Sequence, residues 1–171
     1  SEVNECNPII LGHIISNKYL DNLEFHEIVA FLSIFIADRS VDEPYINDLE
    51  ISDEFGRMLD NVSNLVDNMA SEETKINNNL PFTFWSNWDL HLSLFNVIKE
   101  WSRGEKRWHE VKHLYDTFEG NFCRNVLRLV NLLRNVESIA RLINNTDLLN
   151  KLHGYEEKLI RDVVMIDSLY L

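Results

Sequence analysis

The stretch from Phe118 to Ile143 constrains the fold more than any other part of the chain. It has no proline, its only glycine (Gly120) lies in the first turn, and apolar residues recur at steps of three and four. That pattern predicts a long helix. Phe122, Val126, Leu127, Leu129, Val130, Leu132, Leu133, Val136, Ile139 and Ala140 cover most of its circumference. A helix this apolar has to be buried among others. What remains is a narrow polar stripe, Arg124, Arg128, Asn131 and Asn135, whose spacing places all four on one face. Two guanidinium groups on that stripe need a carboxylate, a phosphate or bulk water opposite them. Pairing with carboxylates of a neighbouring helix is the bland reading, since rim ion pairs are commonplace.

Around this helix the sequence predicts others. Pro8 opens a short apolar helix or turn ending near Tyr19, and Asn22 is expected to cap a buried helix from Leu23 to Ala37. Arg39 to Ile51, acidic and carrying Pro44, reads as a loop. Ser52 starts a third helix to about Ser71, with Phe55, Met58, Leu59, Val62, Leu65, Val66 and Met69 on its apolar face. Glu72 to Pro81 reads as a loop, and the aromatic Phe82 to Trp85 as a segment tucked against the bundle. Ser86 and Asp89 have the spacing of a capping box for a fourth helix to Trp101. Trp108 to Tyr115 is a short fifth helix, the long helix is sixth, and Thr146 with Asp147 caps a seventh reaching Val164, with Ser168 to Leu171 docked behind it. With five Gly, three Pro and no strictly alternating Val/Thr-rich run, strands are not expected. The fold class is all-α, a single helical domain over residues 1–171 built from about seven helices.

The chain's 171 residues suffice for one substantial core. No stretch reads as a membrane span or a signal peptide, so an intracellular protein is expected. Cys6 and Cys123, far apart, suit a reducing compartment rather than a disulfide framework. Asn61-Val-Ser63 and Asn144-Asn-Thr146 match the glycosylation sequon, read here as chance, with Asn145 and Thr146 as a helix start. Opening on Ser rather than Met, the sequence is expected to be part of a longer polypeptide. Net charge is −12, but residues 1–98 hold 4 basic and 17 acidic side chains while residues 99–171 hold 12 basic and 11 acidic. A polyanion would therefore meet the C-terminal half, at a local patch.

Among short motifs, His109-Glu-Val-Lys-His113 fits H-E-x-x-H, in which two His on one helical face share a zinc and Glu110 acts as base. Lys112 beside the metal, and the short segment between Gly104 and Gly120, argue for a decoy on a half-exposed helix whose Trp108, Val111 and Leu114 face the core. There is no phosphate-binding loop of the GxxxxGK[ST] or GxGxxG type, so the chain by itself should not hydrolyse ATP.

Trp101-Ser-Arg-Gly104, Trp108-x-x-Val111, Phe118-Glu-Gly120, Arg124, Arg128, Arg161-Asp-Val-Val164 and the terminal Ser168-Leu-Tyr-Leu171 resemble the C-terminal helical (DSHCT) domain of exosome-associated DExH-box RNA helicases, the superkiller-type group. Upstream, Leu11-Gly-His-Ile-Ile-Ser and Glu27-Ile-Val-Ala-Phe-Leu-Ser33-x-Phe35 are similar to the same family. The resemblance implies the RNA-guiding module of an ATP-dependent 3′-to-5′ RNA helicase acting in RNA processing and degradation. Its Arg-bearing helix would line a channel and act as a ratchet on the translocating single strand. It implies RNA contacts at Arg124, Arg128 (the family's principal position) and Asn131, where the family commonly has Glu. It implies no cofactor in this chain, with ATP and magnesium held by motor domains of the same polypeptide, and the exosome or its adaptors as partners. Gly120 would let a backbone approach closely. Two other classes stand beside it: a protein-interaction module with an acidic docking surface, and the zinc hydrolase.

Overall fold

The computed structural model describes residues 5–82 and 88–161. Among these the chain is all-α: α1 (Pro8–Ser16), α2 (Phe25–Leu32), α3 (Asp53–Asn78), α4 (Phe95–Ser102), α5 (Trp108–Val111), α6 (Glu119–Leu142), α7 (Thr146–Leu152) and α8 (Tyr155–Ile160), with 3-10 turns at Ser33–Phe35, Ile46–Asp48 and Lys112–Leu114. The long helix α6 forms as its periodicity predicts. Phe122, Val126, Leu129, Val130, Leu132, Leu133, Val136 and Ala140 are buried along it, and it packs against α1, α2, α7 and α8. Its end is a Schellman turn. Asn144 takes the left-handed conformation (φ 56°), its N–H bonds the Arg141 carbonyl at 3.2 Å, and the Asn145 N–H bonds the Ala140 carbonyl at 2.9 Å. Asn145 then starts α7 by accepting the Leu148 N–H (3.2 Å), so the cap is Asn145 and not Thr146.

The second layer is α2 against α4, joined to α3 by edge-to-face rings: Phe55 lies 5.8 Å from Phe31 and 5.3 Å from Phe95. Fully buried Trp101 of α4 ties three helices together. Its indole N–H bonds the Leu159 carbonyl of α8 at 2.9 Å, its ring meets Phe122 of α6 edge-on, and the Arg161 guanidinium lies 3.6 Å from its centroid.

Several boundaries differ from expectation, each for a local reason. Asn22 is not the cap of α2: the helix starts two residues later, with Glu24 at the cap and the Glu27 carboxylate accepting the Glu24 N–H (3.2 Å). It also tightens into a 3-10 turn before Ala37. α3 runs on through Glu72–Asn78, expected as loop. Nothing there breaks a helix, Glu72 and Lys75 pair at 3.0 Å, and the Asn79 side chain bonds the Lys75 carbonyl at the end. α4, by contrast, is shorter than expected. The His91 N–H goes to the Ile34 carbonyl (2.7 Å) and the Leu92 N–H to Glu43 (2.6 Å), so residues 88–92 stay irregular. The expected seventh helix is two, because Gly154 (φ 74°) turns the chain between α7 and α8. Phe82 is half exposed. The rest of the aromatic segment, Ser86 of the capping box, and the expectations for Asp162–Val164 and Ser168–Leu171 lie outside the described residues.

Candidate nucleic-acid interface

The arginine end of the α6 polar stripe, Arg124 and Arg128, faces the chain that leaves α2. Ala37, Asp38, Arg39 and Ser40 form one wall of a groove of about 260 Å³, and Asn121, Arg124, Asn125 and Arg128 form the other. Its floor is a hydrogen-bonded set. Asn125, almost wholly buried, donates from Nδ2 to Asp38 (2.8 Å) and to the Tyr115 hydroxyl (2.8 Å), and accepts from Arg128 (3.0 Å). Asp38 also accepts the Ser40 N–H (2.8 Å) and hydroxyl (2.6 Å). A polar side chain this deep is affordable only when its groups are paired.

Arg128 belongs to that floor. Its Nε and Nη2 donate to the two carboxylate oxygens of Glu5 at 2.8 and 2.7 Å, and its Nη1 to the Ala37 carbonyl (2.8 Å) and Asn125. The pair is largely shielded, at 29% and 15% side-chain exposure. Such a bidentate fork is among the stronger ion pairs. Beside Glu5, Cys6 is buried, and burial pushes its thiol up to about 12. The carboxylate alternative raised for the arginine stripe thus applies to Arg128. It does not apply to Arg124, which is exposed and donates to the Asn121 side chain. Among the described residues no carboxylate lies within ion-pair distance of Arg124, nor of Arg39 across the groove.

Asn131 is exposed but does not line this groove. Its side-chain oxygen accepts from Arg134 (3.0 Å), which pairs with Glu156 of α8 at 3.0 Å. His109, Glu110 and His113 are exposed, and the helix passes from α to 3-10 after Val111, which alters the spacing an H-E-x-x-H site relies on. Glu110 instead accepts the Arg107 N–H at 2.8 Å. Glu24, His26 and Glu27 bring three possible ligand atoms within 4.8 Å at the start of α2. Glu27 already caps that helix, and burial followed by Arg103 lowers the His26 pKa, so these are explained as a helix start. An open groove of about 520 Å³ with a mainly apolar lining, including Ile9, Met69, Ile76 and Trp88, lies between α1 and α3. Arg39, Asn125, Asp38 and Glu5 are the site residues that sequence reasoning missed. Asn125 sits among apolar positions of α6, and that was the one available signal.

The description DSHCT (NUC185) domain matches residues 1–167. The chain belongs to the DSHCT domain family. Full-length relatives bear helicase names. This DSHCT domain is 28% identical over 171 residues to "Exosome RNA helicase MTR4" of Homo sapiens, covering 99% of the chain and 16% of that protein. It is 25% identical to "ATP-dependent RNA helicase mtr4" of Schizosaccharomyces pombe over 177 residues, 99% of the chain and 15% of the relative. It is also 25% identical over 179 residues to "Antiviral helicase SKI2" of Saccharomyces cerevisiae, covering 99% and 13%. The DSHCT domain therefore spans about a sixth or less of the length of these relatives.

Proposed function

We propose that this DSHCT domain is the RNA-guiding module of an ATP-dependent 3′-to-5′ RNA helicase that serves RNA processing and degradation with the exosome. The observation that carries the reading is the groove along α6, where Arg39 and Arg124 stand exposed on opposite walls without a carboxylate partner among the described residues. Guanidinium groups bind phosphates bidentately and stack on bases, and single strands are held by such sparse contacts without sequence preference.

In this scheme the motor domains of the same polypeptide hold ATP and magnesium and supply movement. Arg39 and Arg124 grip the strand between steps. Arg128 supports the groove: four of its five N–H donors go to Glu5, Ala37 and Asn125. Exchange of Glu5 for a phosphate would turn its fork toward RNA. Asn131 adds a contact only if the strand passes beyond the groove toward α8.

The test is the full-length helicase carrying Arg39→Ala with Arg124→Ala, and separately Arg128→Ala. Unwinding slowed several-fold more than ATP turnover supports the reading. Equal loss of both activities, or of neither, contradicts it; unchanged unwinding with loss of a protein partner points to a docking module instead.

A further inference from the structure

Phe118 is the most exposed large apolar side chain of the described residues, at 84%. A lone exposed aromatic needs no explanation, but the place of this one is specific. It is the residue immediately before α6, and the Phe118 carbonyl accepts the N–H of Asn121 (2.9 Å), a wall of the groove. Its neighbour Thr117 is fixed to both walls: the Thr117 hydroxyl lies 3.1 Å from that of Ser40 and accepts from the Asn121 side chain at 2.9 Å. The backbone that carries Phe118 is thus pinned at the end of the groove while its ring stands in water. Elsewhere in α6 the aromatic demand is met inside, where Phe122 stacks on Trp108 at 4.4 Å.

We infer that the ring of Phe118 is a stacking platform for one base of the single strand whose phosphates lie between Arg39 and Arg124. This rests on the function proposed above and adds a nucleobase subsite to it. An aromatic face beside a cationic groove is the general composition of sequence-tolerant single-strand sites, because every base offers a π-face. The arginines supply the salt-dependent part of binding, and the ring supplies a part that salt does not screen.

Equilibrium binding of a single-stranded RNA carrying 2-aminopurine to the full-length helicase, titrated across potassium chloride, reads the two parts separately. Phe118→Ala is expected to weaken binding roughly 5- to 150-fold, the range for one lost base stack, without changing the slope of log K against log salt. Phe118→Trp should restore binding and the quenching of 2-aminopurine, and Phe118→Leu should not. Arg39→Ala with Arg124→Ala should instead make the slope shallower by about one to two. If Phe118→Ala binds as wild type while the arginine variant weakens, the stacking inference is overturned and the groove stands. If Phe118→Leu rescues as well as Trp, the ring serves apolar packing and the inference is overturned too. If neither variant alters binding, the RNA reading of the groove itself fails. Being exposed, Phe118 can be replaced without loss of the core, and an unchanged melting temperature checks this.

Discussion

At the scale of single residues, the decisive pair is Arg128 and Glu5. An arginine that donates four hydrogen bonds from a mostly buried position holds the N-terminal segment, the end of the α2 layer and α6 together. Arg128→Ala leaves the Glu5 carboxylate, at 15% exposure, without its partner. A loss of about 1–3 kcal/mol in chemical denaturation is expected, whereas Arg124→Ala on the exposed wall should change stability by less than about 0.5 kcal/mol. Equal effects would show that the two arginines do not divide the work as described. Cys6 gives a pH prediction. Its thiol ordinarily ionises near 9.0, and in the fold near 12. Between these values the unfolded chain has lost a proton that the native chain retains, so stability falls as pH rises, by up to about 1.4 kcal/mol per pH unit. Cys6→Ala should flatten that limb of the stability profile above pH 9, measured by urea denaturation. The arginine stripe itself could be read from spacing alone. Its partners could not, because Glu5 and Arg128 are 123 positions apart and nothing local in the sequence joins them.

At the scale of elements, periodicity was a good guide where a helix is buried among others and failed where backbone groups are claimed from a distance. α6 and the buried stretch of α2 follow their apolar steps, whereas residues 88–92 are drawn out of helical geometry by Glu43 and the Ile34 carbonyl. α3 outran its apolar face because its last turns hold themselves together, with Glu72–Lys75 pairing and an Asn79 cap. The glycines separate cleanly. Gly154→Ala should destabilise the chain by about 1 kcal/mol, as the left-handed turn between α7 and α8 demands φ 74°. Gly120→Ala should instead stabilise it by about 0.5–1 kcal/mol, since a Cβ there meets nothing within 4 Å and the first turn of α6 gains helix propensity. Thermal melting of the two variants checks the opposite signs. Trp101→Phe keeps an aromatic ring but leaves the Leu159 carbonyl without its 2.9 Å donor and a cavity where the larger, fully buried indole sat, an expected combined cost of about 2–4 kcal/mol by the same measurement.

At the scale of the whole molecule, charge and architecture agree on one wall of the groove, which α6 supplies, while the other wall, with Arg39, comes from the acidic half. The acidic excess belongs to residues 1–98, and the nearly balanced C-terminal part supplies α6 and its arginines. Membership of the DSHCT family and the all-α fold were both readable from the sequence, since the helix periods and the residues around Trp101, Phe118 and Arg128 are local features. The groove was not, because Arg39 comes from a loop whose position depends on packing of α2 against α6. Among the described residues no helix is long and apolar enough to cross a membrane. The most direct test is photo-crosslinking of a 4-thiouridine single strand to the full-length polypeptide, with the attachment sites mapped by mass spectrometry. Crosslinks within residues 37–40 and 117–128 are predicted; crosslinks in this domain confined to α3 or α7, with the groove untouched, would contradict the account.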